Sequence, residues 1–231
     1  MKLGMTQISA WLIAVFAVSV FAFSPAAAQD TIQQRKLLLE AEAALIDLRA
    51  AEPLAGKMNS TLDRAKAVLI VPNLLKGAFI VGGEGGSGVL LARRADGSWS
   101  APVFVTLGAA SVGLQIGGQS SKVLFAIMND KALEALLSDK VKLGVDVGVA
   151  IAHKGAGVEA STTTAARDDI FQFAVSQGLF GGGALEGAVI EPRTSWNEAY
   201  YGRTLGPKAI VSDPSLFAPE ANPLRAALDT R

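Results

Sequence analysis

A chain of 231 residues that is 50% hydrophobic and 18% charged has the composition of a packed globular protein, which excludes disorder throughout. With 21 basic residues against 21 acidic ones it carries no bulk cationic field to hold nucleic acid. Zero cysteine and a single histidine remove disulfides, thiolate nucleophiles, iron–sulfur clusters and cysteine zinc sites, and 24 glycines with 6% aromatics favour tight turns and small strand residues over long helices.

Residues 1–28 join Lys2, an apolar run from Ile8 to Phe23, Ser24-Pro25 and the small-residue site Ala26-Ala27-Ala28. That order is a secretory signal, cleaved after Ala28, and it places the mature chain in a bacterial periplasm or outside the cell. The competing reading is an uncleaved membrane anchor, although the run falls short of the roughly 20 apolar residues that span a bilayer.

From Thr31 to Ala51 strong helix formers run without Gly or Pro, with Ile32, Leu39, Ala43 and Ile46 at helical spacing, and the helix stops at Pro53. A second short helix covers Leu54 to Lys66. The pattern then changes to short strands: Ala67–Val71 before Pro72, Ala78–Val81 before glycines, Val89–Ala92 before Arg93-Arg94, then Trp99–Leu107, Ser111–Ile116 and Lys122–Met128. Asn129 or Asp130 caps an internal helix through Leu137. Lys142–Ala152, Ile170–Ser176 and Ala184–Ile190 supply further strands. Beyond Gly202, four prolines and few apolar clusters predict a loosely ordered tail over 203–231 that ends in a short helix from Leu224. The fold class is α+β: a single β-rich domain of mostly antiparallel short strands with amino-terminal helices and one internal helix.

Motifs for chemistry are weak. Gly83-Glu84-Gly85-Gly86-Ser87-Gly88 fits G-x-G-x-x-G, but a dinucleotide fingerprint needs a helix next, and strand-like Val89-Leu90-Leu91-Ala92 follows. A mobile inter-strand loop over 82–88 is the better reading. Ser111 lies one residue off a nucleophile elbow, and His153 ends a hydrophobic strand before Lys154-Gly155 with no paired carboxylate at fixed spacing, as a solvated turn histidine does. Asp146 reads as a polar-face strand residue and Asp168-Asp169 as a turn before Ile170. No acid/base pair, metal site or cofactor can be assigned, so no enzyme is expected. What remains is charge on apolar neighbours: Lys57, Arg64, Lys66 and Lys76 around the second helix and first strand, and Arg93-Arg94 at a strand end. Such side chains can meet phosphate headgroups while their stems enter the interface. The plainer reading is a solvated face with Glu52, Asp63 and Glu84 as partners.

Several runs in serial order resemble the SYLF domain family: Ala65-Lys66-Ala67-Val68-Leu69-Ile70-Val71-Pro72, Gly77-Ala78-Phe79-Ile80-Val81-Gly82-Gly83, Gly86-Ser87-Gly88-Val89-Leu90, Gly97-Ser98-Trp99-Ser100-Ala101-Pro102, Gly113-Leu114-Gln115-Ile116-Gly117-Gly118-Gln119, Gly178-Leu179-Phe180-Gly181-Gly182 and Tyr200-Tyr201-Gly202. The resemblance spans a domain of residues 29–202 and implies a lipid-binding module. Eukaryotic members bind phosphoinositides and some bind actin; for an exported chain only contact with anionic phospholipid carries over. Lys66 and Lys76 match the family's membrane-facing opening, whereas Lys57, Arg64, Arg93 and Arg94 join them by proximity in sequence. Without cysteine the chain lacks the lipid anchor of lipobox-bearing relatives. The function expected is non-catalytic binding of an anionic phospholipid or membrane surface. The alternative is a cell-envelope scaffold that meets a protein partner.

Overall fold

The computed structural model describes residues 25–52, 54–78, 81–112, 117–153, 169–178, 185 and 187–230. Helices α1 (Pro25–Arg49) and α2 (Leu54–Leu62) precede strands β1 (Ala67–Ala78), β2 (Val81–Ala92), β3 (Val103–Val112) and β4 (Gly117–Ile127). After them come α3 (Asp130–Leu136), β5 (Val141–Lys142), β6 (Val149–His153), β7 (Ile170–Gly178) and β8 (Val189–Pro192). The chain ends in α4 (Thr194–Tyr201), α5 (Pro207–Ser212), a 3-10 turn (Pro219–Ala221) and α6 (Asn222–Asp229). The strands form one curled sheet in the order β5-β8-β3-β2-β1-β4-β7-β6, antiparallel except for the parallel pair β6 and β7. The α+β class with a mostly antiparallel sheet is the one the sequence predicts.

Central β1 shows why. Val68 through Val71 are all fully buried, because helices cover one sheet face and a second core covers the other. A strand buried on both faces reads as a continuous apolar run rather than an alternating one. Val68 and Ile70 join Val89, Leu91, Phe104, Leu124 and Phe173 beneath α1, α2 and α6. Leu69 and Val71 point the other way, into a cluster with Val105, Val123, Phe125, Leu136 of α3 and Ile210 of α5.

Several elements depart from the sequence expectation. The separate short runs merge into strands of 10 to 12 residues. Pro72 does not end β1: the register shifts against both neighbours there, and a bulge removes the need for the proline's missing N–H. The run 82–88 is not a loop but the first half of β2, paired with β3 from Val81 to Leu90. Gly86 and Gly88 answer a packing demand, since a Cβ on Gly86 would lie 2.7 Å from the Asn73 carbonyl oxygen and 2.8 Å from Val71 Cγ1 of the bulge, and one on Gly88 2.8 Å from Leu69 Cδ1. Lys142–Ala152 is two strands, because Gly144 at φ +79° turns the chain. Asp146 therefore sits in that turn, where it accepts from Lys142 N at 2.6 Å. The residues whose spacing predicts α1 are its outer side: Ile32, Leu39 and Ile46 are 58%, 61% and 56% exposed, while Leu38, Ala41, Leu45 and Leu48 face the sheet.

Residues 203–230 are not a loose tail. Leu224 and Leu228 of α6 are buried in the helix-side core, and Ile210 of α5 is buried in the other. Polar ties complete the attachment. Trp99 Nε1 donates to Asp229 Oδ1 at 3.0 Å, Arg225 Nε donates to the Ser100 carbonyl at 3.1 Å, and Arg49 donates to the Ala227 and Leu228 carbonyls that end α6. Three of the four prolines that suggested looseness open helices instead, with Pro207, Pro219 and Pro223 in first turns where a missing N–H costs nothing.

Candidate functional site

The six basic residues do not form one patch. Lys57 on α2 and Arg64 in the turn after it are exposed, and Arg64 Nε donates to the Ser60 carbonyl at 3.4 Å. Lys66 leads into β1 and pairs with Asp130 at 3.4 Å, both side chains at least half exposed. Such a surface pair is worth about 0–1 kcal/mol, so the ammonium can exchange partners at little cost.

Arg93 and Arg94 are committed to the fold. Arg93 donates to the carbonyls of Leu62, Ala65 and Gly97, at 3.2 to 3.4 Å, and lies 4.2 Å from the centre of the Trp99 ring. It thus satisfies the last turn of α2, whose carbonyls have no partner within the helix. Arg94 donates to the Trp99 and Asp213 carbonyls, tying the β2 end to the segment after α5.

Lys76 is far from the others. It stands ten residues along β1 from Lys66, on the order of 30 Å at the rise of a strand. It faces away from α1, α2 and α6 and pairs with Glu84 of β2 at 2.6 Å, both side chains mostly covered. The exposed basic set is therefore Lys57, Arg64 and Lys66.

The remaining sequence candidates are structural where their side chains are described. Asp169 accepts from Asn129 Nδ2 at 2.7 Å and from Gly148 N at 3.0 Å, joining the α3 cap to the approach of β6. Asn129 is the N-cap, its side chain accepting from Ala132 N at 2.9 Å, as expected. His153 is the last residue of β6 and Ser111 lies in β3; the side chains of both fall outside the description, as do Asp168 and residues 1–24, where the sequence predicts a signal. Among the described residues no group of carboxylates and histidine could hold a metal ion, and no helix is long and apolar enough to cross a membrane.

Two features were missed at the level of sequence. One is the outward apolar stripe of α1, hidden because α1 has leucines and alanines on both sides. The other is a row of polar side chains on the sheet face opposite α1: Lys76, Glu84, Gln119, Ser121, Gln172 and Ser176. The period-2 spacing of Gln119 with Ser121, and of Gln172 with Ser176, shows that each pair shares a face, but only sheet order brings the strands together.

The family model described as "Ysc84: Las17-binding protein actin regulator" matches residues 108–231, more than half of the chain. The chain belongs to the Ysc84 family. The SYLF resemblance holds, and the Ysc84 match runs through α5 and α6, in keeping with their packing. Among relatives, Protein YSC84 of Saccharomyces cerevisiae is 33% identical over 173 residues, 74% of this chain and 37% of that protein. LAS seventeen-binding protein 3 of the same yeast is 32% identical over 173 residues, 74% of this chain and 38% of that one. SH3 domain-containing YSC84-like protein 1 of Homo sapiens is 31% identical over 141 residues, 61% of this chain and 41% of that one. The Ysc84 chain described here thus spans less than half the length of these curated relatives.

Proposed function

We propose that this Ysc84 family chain is an exported, non-catalytic lipid-binding module whose Lys57, Arg64 and Lys66 meet anionic phospholipid headgroups. One observation carries the reading: the helix layer that exposes Lys57 and Arg64 also turns Ile32, Leu39 and Ile46 of α1 outward. Cations beside apolar side chains are what a membrane interface binds, the charges at the headgroups and the hydrocarbon just below them. The SYLF resemblance supports the same class of ligand. Arg93, Arg94 and Lys76 are left out of the contact set, since their donors serve the fold or an ion pair.

The test is co-sedimentation of residues 29–231 with phosphatidylglycerol vesicles over a salt series. Binding should fall as salt rises, because charges separated by more than about 8 Å are screened at physiological ionic strength. Replacing Lys57, Arg64 and Lys66 together by Gln should cost up to about 3 kcal/mol, at about 1 kcal/mol per charge, with the circular dichroism spectrum unchanged. Failure of the unaltered protein to sediment with the vesicles at low salt sinks the proposal. A protein-partner module is the second reading, favoured by the yeast relative named for binding LAS seventeen. Vesicle-independent retention of the triple variant on an immobilised envelope protein would support it.

A further inference from the structure

The polar row on the sheet face opposite α1 is a built site. Lys76 and Glu84 are cross-strand neighbours paired at 2.6 Å, and Gln119 of β4 stands opposite Lys76 in register. Gln119 Nε2 donates to Ser121 Oγ at 3.0 Å, and Ser121 Oγ lies 2.9 Å from Ser176 Oγ, its direct partner across β4 and β7. Gln172 of β7 lies on the same face, is 1% exposed, and its buried Oε1 has no hydrogen-bond partner among the described residues. All six line a cavity of about 20 Å³ with otherwise apolar walls.

A buried carbonyl oxygen left without a donor loses its hydration and gains nothing in return, so such groups almost always find a partner. A cavity above about 10–15 Å³ that presents several polar groups can hold one water-sized molecule. The side chains around it select its chemistry. The Lys76 ammonium is engaged by Glu84, and the Gln119 amide by Ser121. The two serine hydroxyls share one hydrogen bond, which leaves one O–H and several lone pairs for a third group. The occupant must donate to Gln172 Oε1 and can accept from a serine. An anion would face Glu84, and those that carry a proton to donate are larger than the cavity; a cation would sit beside Lys76, and a hydrocarbon chain is too large and satisfies nothing.

We propose that this cavity binds a single hydroxyl group, which donates to Gln172 Oε1 and accepts from the Ser121–Ser176 pair. In dilute buffer that hydroxyl belongs to a water molecule; the terminal alcohol of a small polyol offers the same chemistry. The site is independent of the lipid reading, because it lies on the other side of the sheet from α1 and α2.

High-resolution crystal structures of the protein grown without polyol, and after soaking in ethylene glycol, test it. The first should show one ordered oxygen within hydrogen-bond distance of Gln172 Oε1. After soaking, continuous density from that oxygen into a two-carbon unit marks a polyol site, and an unchanged isolated peak marks a water site; both support a bound hydroxyl. Gln172→Met, close in shape but without the acceptor, should lose the peak while keeping its melting profile. Should that variant not fold, Ser176→Ala should lower the occupancy of the same peak. A dry cavity in the unaltered protein, or Gln172 Oε1 bonded to a protein donor, overturns the proposal.

Discussion

Asn197 belongs to a helix yet completes a strand. Its side chain accepts from Phe104 N at 2.9 Å and donates to Phe104 O at 3.1 Å, just where β3 has run past its pairing with β8. The residue is 1% exposed, so water cannot take over either bond. Asn197→Leu should lower stability by roughly 1–3 kcal/mol, because the buried Phe104 N–H loses its acceptor while Phe104 O keeps the Arg193 N–H at 2.8 Å, read as a shift of the urea midpoint. Nearby, Tyr201 donates to the Pro102 carbonyl at 2.7 Å and Tyr200 to Glu220 at 3.0 Å. Burial pushes both phenols well above their ordinary range, with the Glu220 charge adding to the rise at Tyr200 and Tyr200 itself adding to that at Tyr201. The folded state thus favours the neutral phenol. Its contribution is complete below the unfolded value near 10 and is lost as pH climbs above it. These are the only two tyrosines of the chain, so near-ultraviolet absorbance should show no phenolate near pH 10 until the protein unfolds. A normal titration at pH 10 with the fold intact would contradict this account.

At the scale of elements, α6 carries the clearest prediction. Ending the chain at Ala221 removes Leu224 and Leu228 from the helix-side core and deprives Trp99 Nε1 of Asp229. Two buried leucines at about 1.5–3 kcal/mol each give a loss of roughly 3–6 kcal/mol, measurable by thermal or urea unfolding. A loosely held tail would leave both curves in place. Element types were legible because their signals are local: the helix formers of α1, the Asn129 cap of α3 and the apolar run of β1 act within a few residues. Strand lengths and ends were not. Pro72 and the glycines of β2 resemble breakers until the bulge of one strand is seen to press on Gly86 and Gly88 of the next. In the tail, the prolines read as disorder because what holds it, Arg49, Ser100 and Trp99, lies more than a hundred residues away in sequence.

For the whole molecule, the proposed export predicts a mature product beginning at Gln29, since Ala26 and Ala28 are the small residues that a signal peptidase accepts. Amino-terminal sequencing of the exported protein checks it, and a product that keeps Met1 and fractionates with membranes would favour the anchor. By itself the sequence determined the α+β class and the family, and showed no cysteine and a single histidine, because composition, periodicity and serial motif order are properties of the chain alone. Which basic residues stay exposed was decided by tertiary structure. Arg93 and Arg94 are as charged as Lys57 and Arg64, but helix ends and crossing segments bring carbonyls to the first two and leave the second two in solvent. The same holds for α1, whose two apolar sides are nearly equivalent in sequence until the sheet covers one of them. The polar row of Lys76, Glu84, Gln119, Ser121, Gln172 and Ser176 likewise exists only once β2, β1, β4 and β7 lie side by side, since hydrogen bonding between strands, and not spacing along the chain, sets which side chains meet.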